Sequence, residues 1–108
     1  MIRIAIPMFF DKVRVYLGKD DIKGFNAYAK KLGCTQLDEG DLGSLAGSNA
    51  CWIHDAGDTL TIIHELHHVA HYMAKYRDIK DEEFEAYLQE YLFKKVMEKI
   101  GAGKGKKK

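Results

Sequence analysis

Residues 59–73, Thr59-Leu60-Thr61-Ile62-Ile63-His64-Glu65-Leu66-His67-His68-Val69-Ala70-His71-Tyr72-Met73, superimpose two patterns. Ile62, Leu66, Val69 and Met73 fall four, three and four apart, the stripe of a helix with one face against a core. Asp58 or Thr59 can cap this helix, and the pattern carries it to about Tyr76. Inside it, His64 to His68 form H-E-x-x-H. Two histidines four apart stand one above the other on a helix, so both imidazoles can reach one metal ion. Glu65 is turned about 100° from His64, beside such an ion rather than on it. A carboxylate there can take a proton from a zinc-bound water and pass it on.

Working outward, Arg77 to Lys80 make a short connection to a last helix that begins near Asp81 with acidic residues in its first turn. Its apolar stripe is Phe84, Tyr87, Leu88, Tyr91, Leu92 and Val96, and it is expected to end at Gly101. The remainder, residues 102–108, reads as a flexible basic tail, either a solvated solubility tail or an anchor for an acidic partner. Upstream, Asn49 to His54 suggest a buried strand, and Cys34 to Ser48 a loop with at most a short strand. Ile22, Phe25, Tyr28, Ala29 and Leu32 give a first helix, with Asp20 or Asp21 at its start and Gly33 at its close. Before it, Ile2, Ile4 and Ile6, then Val13, Val15 and Leu17, alternate as a two-stranded hairpin, and Pro7 suggests an edge or a bulge. The fold class expected is α+β: a small antiparallel sheet, an N-terminal helix, and a C-terminal helix pair carrying the metal motif.

The chain has 108 residues, enough for one domain with a modest core, taken as residues 1–101. Seventeen basic residues against sixteen acidic ones leave no global field pointing to nucleic acid or membrane. No interleaved basic and aromatic patch suggests a nucleic-acid binder. The start is too short and interrupted for a signal peptide or a membrane span. Cys34 and Cys51 form no C-x-x-C pair and read as reduced, mostly buried thiols, consistent with a cytoplasmic setting.

A catalytic zinc site needs three protein ligands and one open position. His64 and His68 supply two, and the first turn of an antiparallel last helix is the expected source of the third. Asp81, Glu82, Glu83 and Glu85 are candidates. Glu83 is favoured because it borders the stripe of Phe84, Tyr87, Leu88 and Tyr91, one turn before Tyr87. His71, seven residues past His64, is an alternative third ligand; three ligands on one straight helix close poorly round one ion, so it is rather expected to orient a ligand or face substrate. His67 is expected at the surface. His54 reads as a strand-end histidine that could also orient a substrate. Ile62-Ile63 before the pair and Val69-Ala70 after it place the imidazoles in apolar surroundings. Burying them beside a glutamate would cost several kcal/mol, which a bound cation relieves.

The segment Thr61 to Ala70 resembles the extended zincin metallopeptidase motif. Glu83-Phe84-Glu85-Ala86-Tyr87 resembles the E-x-x-A-[YN] segment of gluzincin-like proteins. Together they are similar to small phage and prophage zinc peptidases and, more distantly, to the ImmA/IrrE type. The resemblance implies a minimal zincin-like fold and a zinc metallopeptidase of narrow specificity acting on a peptide or protein. It further implies that Glu65 is general base and then acid, and that His64, His68 and Glu83 hold the metal. An exposed strand such as Cys51 to His54 would pair with an extended substrate. The alternative from another class is a catalytically silent, zinc-stabilised binding or regulatory module.

Overall fold

A computed structural model describes residues 1–38 and 40–105 of the chain. The hairpin expected from the alternation is present: β1 (Ile2–Ile6) pairs antiparallel with β2 (Asp11–Leu17), Ile4 opposite Val13 and Ile2 opposite Val15. Pro7 lies just past the edge strand β1 in a short 3-10 turn, where its missing N–H breaks no ladder bond. After β2 comes α1 (Ile22–Lys31). Asp21 precedes it without capping it; its carboxylate instead accepts from the Leu17 N–H at 2.8 Å and pairs with the Met1 ammonium at 3.1 Å. Gly33, at φ 73°, ends the helix while the Cys34 N–H reaches back to the Ala29 carbonyl.

The sheet is mixed, a correction to the antiparallel sheet expected. Its order is β1-β2-β4-β3, where β3 (Gly43–Ala46) and β4 (Ala50–Ile53) form a second antiparallel hairpin. Strands β2 and β4 run parallel, Arg14 opposite Ala50 and Leu17 opposite Ile53. The cause is the chain order: α1 leads into β3, which runs against β2, and the β3–β4 hairpin then turns the chain back so that β4 lies parallel to β2. Strand β4 is buried on both faces, so Ala50 to Ile53 show no alternation. Cys51 and Ile53 join the main core, while Ala50 and Trp52 pack with Phe25 and Ala29 of α1.

The main core is closed by α2 (Thr59–Tyr76) and α3 (Glu82–Gly105). Helix α2 matches the expected span, and Ile62, Leu66, Val69 and Met73 are all buried. Its cap is Asp58, whose carboxylate accepts from the Thr61 N–H at 3.1 Å and from the Thr61 hydroxyl at 2.7 Å. In α3 the buried stripe is narrower than expected: Leu88, Leu92 and Val96 are inside, whereas Tyr87 is 65% exposed and Tyr91 is also on the surface. The Tyr91 hydroxyl donates to the Ala5 carbonyl of β1 at 3.1 Å, so this ring lies over the sheet edge with its polar end satisfied. Helix α3 continues past Gly101, which does not take the positive φ of a terminating glycine. Residues 106–108 of the basic tail lie outside the described residues. No described helix is long and apolar enough to cross a membrane.

Candidate metal centre

The four-residue spacing on α2 does what helix geometry requires of it. His64 Nε2 and His68 Nε2 are 3.2 Å apart, with the rings nearly perpendicular. Two nitrogens bound tetrahedrally to one zinc at about 2.0–2.1 Å would stand about 3.3–3.4 Å apart. The pair is therefore already at the separation of a chelate, and in that respect fits the metal. Partial burial, then the imidazoles of His64, His67 and His71, hold the His68 pKa below its usual range. The neutral form that results is the one that ligates. The apolar surroundings expected for the pair are corrected here: His64 is exposed and His68 only half-buried. Leu66, Val69 and Met73 take the inward face, leaving both imidazoles on the outer one.

Glu65 is the buried member, with 7% of its surface exposed. It lies against Gly43 at the start of β3, so close that a Cβ on Gly43 would be 2.5 Å from Glu65 Oε2. Burial raises the Glu65 pKa, opposed by the neighbouring His64. The Cys51 thiol is pushed far above its usual range, first by burial and then by the Glu65 charge, which makes it an inert core group. Leu42, Gly43, Leu60, Thr61, His64 and Glu65 line a cavity of about 410 Å³.

The strand beside this cavity is β3, not the Cys51 to His54 segment expected to receive an extended peptide. Strand β4 lies between β2 and β3 and has no free edge. Strand β3 has one. The His54 N–H donates to the Leu42 carbonyl at 2.9 Å. By antiparallel alternation, the backbone N–H and C=O of Gly43 and Leu45 then point outward from the sheet. Sequence reasoning missed Gly43; its partner Glu65 is distant in the chain and nothing local marks the contact.

No group of three or more His, Cys, Asp or Glu side chains among the described residues is arranged to hold a metal ion. The cross-helix contacts give the reason. His71 Nδ1 lies 2.9 Å from Glu85 Oε1, and His67 Nδ1 lies 3.4 Å from Gln89 Oε1. This register sets the acidic start of α3 one turn past the His64/His68 pair. Glu83 is exposed and, five residues before buried Leu88, is turned about 140° from it. Glu82 and Glu85 instead line a second cavity with His67 and His71. His54 is engaged by Asp58, Nε2 to Oδ2 at 2.7 Å, which with the Thr61 bonds lowers the Asp58 pKa to about 2. This ties the end of β4 to the start of α2.

No protein-family model, no curated protein and no solved structure matches this chain.

Proposed function

We propose that this protein is a zinc-dependent peptidase in which His64 and His68 hold the metal and Glu65 handles the proton. The observation that carries the reading is the 3.2 Å Nε2–Nε2 separation, with a buried carboxylate at the intervening position. A zinc ion held there supplies a water of lowered pKa and polarises a carbonyl. The third ligand is assigned to the acidic first turn of α3, formed by Glu82, Glu83 and Glu85. Of these, Glu85 already engages an imidazole of α2, and recruiting it would require it to leave His71.

Glu65 does the acid–base work. Its raised pKa brings it toward the range in which a carboxylate can accept a proton from water and return it to a leaving amide nitrogen. The outward backbone groups of Gly43 and Leu45 offer an extended peptide a strand to pair with, beside that carboxylate.

The test is metal content by mass spectrometry on protein purified without added metal, alongside turnover on peptide mixtures. About one zinc per chain is expected, lost in His64→Ala and His68→Ala, and lost in whichever of Glu82→Gln, Glu83→Gln and Glu85→Gln removes the third ligand. Glu65→Gln keeps its zinc and loses turnover. A wild type that takes up no metal when zinc is offered ends the proposal. Zinc retained in a protein that cuts nothing, and that unfolds on chelation, would make the same pair the staple of a binding module instead.

A further inference from the structure

We infer that the cavity beside the motif selects peptides carrying a large apolar side chain next to the bond to be cut. This rests on the peptidase reading above and adds its substrate class. The cavity that contains His64 and Glu65 is also lined by Leu42 and Leu60, which are 58% and 80% exposed. Leu60 precedes His64 by four residues, so it stands one turn up the same stripe of α2. Leu42 precedes Gly43 directly, at the head of the free strand edge. Among the described residues the remaining lining is Gly43 and Thr61, and the ionisable groups that face this space are Glu65 and His64.

An exposed leucine alone is ordinary. Two leucines lining one recess, with the proton-handling carboxylate beside them, leave apolar surface that a substrate can cover. An apolar side chain touching both removes that surface from water, whereas an acidic one would lose hydration and meet the Glu65 carboxylate. Discrimination of this kind is bounded: one methylene in an apolar pocket is worth about 10–200-fold in kcat/KM.

Zinc-loaded wild type, Leu42→Ser and Leu60→Ser are to be compared on fluorogenic peptides that differ at one position, leucine or phenylalanine against alanine or aspartate. Fluorescence anisotropy with the Glu65→Gln protein, alone and combined with each serine substitution, reads recognition without turnover. We expect the wild type to favour the leucine or phenylalanine peptide over the alanine one by about 10-fold or more, and each serine variant to lose most of that preference. Cleavage with no apolar preference, or with one that survives both substitutions, overturns the inference and leaves the peptidase reading intact. Selective binding that the serine substitutions abolish, in a protein that never cuts, upholds the recess and removes the peptidase. Neither cleavage nor selective binding overturns both.

Discussion

A Cβ on Gly43 would lie 2.5 Å from Glu65 Oε2 and 2.8 Å from its Cγ, so Gly43→Ala must push the buried carboxylate aside. Overpacking of this kind costs about 1–3 kcal/mol. We expect a denaturant midpoint lowered to match and, on the peptidase proposal, slower turnover; an unchanged midpoint would mean that Glu65 moves freely. Glu65 also sets a pH dependence whose sign can be worked out. Burial raises its folded pKa above the unfolded value, so the folded state keeps the proton to higher pH. The stability this provides is complete below the unfolded pKa of about 4.3 and is lost as pH rises through the folded pKa. Glutamine carries no such slope. Metal-free Glu65→Gln should therefore melt higher than wild type at neutral pH, with the difference narrowing toward about pH 4; a gap that ignores pH would assign the effect to packing. The approach of His64 to His68 was legible because their four-residue spacing is local. Gly43 was not, since its role exists only where β3 meets α2.

Among the elements, α2 was the most readable, because Ile62, Leu66, Val69 and Met73 mark one face without ambiguity. The orientation of α3 was less so. Tyr87 and Tyr91 extend an apolar stripe on paper, but each has a hydroxyl that favours a wet or partnered end, and that of Tyr91 is bonded to Ala5. Removing them from the core rotates the expected face, and with it Glu83 gives way to Glu85 as the carboxylate facing α2. What docks α3 is Leu92, fully buried between Leu88 and Val96. Leu92→Ala should cost about 2–5 kcal/mol in chemical denaturation, with faster hydrogen exchange concentrated in α3. A loss far below this would mean that the helix is held by its surface contacts instead, such as His71 with Glu85.

At the scale of the whole molecule, the hairpins could be read from alternation, but the joint between them could not. Parallel pairing of β2 with β4 depends on a connection that leaves no mark in either strand. His64 and His68 stand on the outer face of α2, one of the two helices that close the core, so an ion held there would add to the stability of the finished fold. Zinc at about 100 times its dissociation constant would contribute about 2.7 kcal/mol. The melting temperature should climb with added zinc in wild type and stay flat in His64→Ala, as differential scanning fluorimetry would record; a flat wild-type response would argue against a metal at this pair. The parallel joint has a consequence for the chain while it is being made. Synthesis delivers β1 and β2 early, but the partner that covers the other edge of β2 is not present until residues 50–53 have emerged. Val13 and Val15, sealed in the completed protein, belong until then to a lone hairpin with an open edge. That interval during translation is when this protein is most exposed to pairing with the wrong strand.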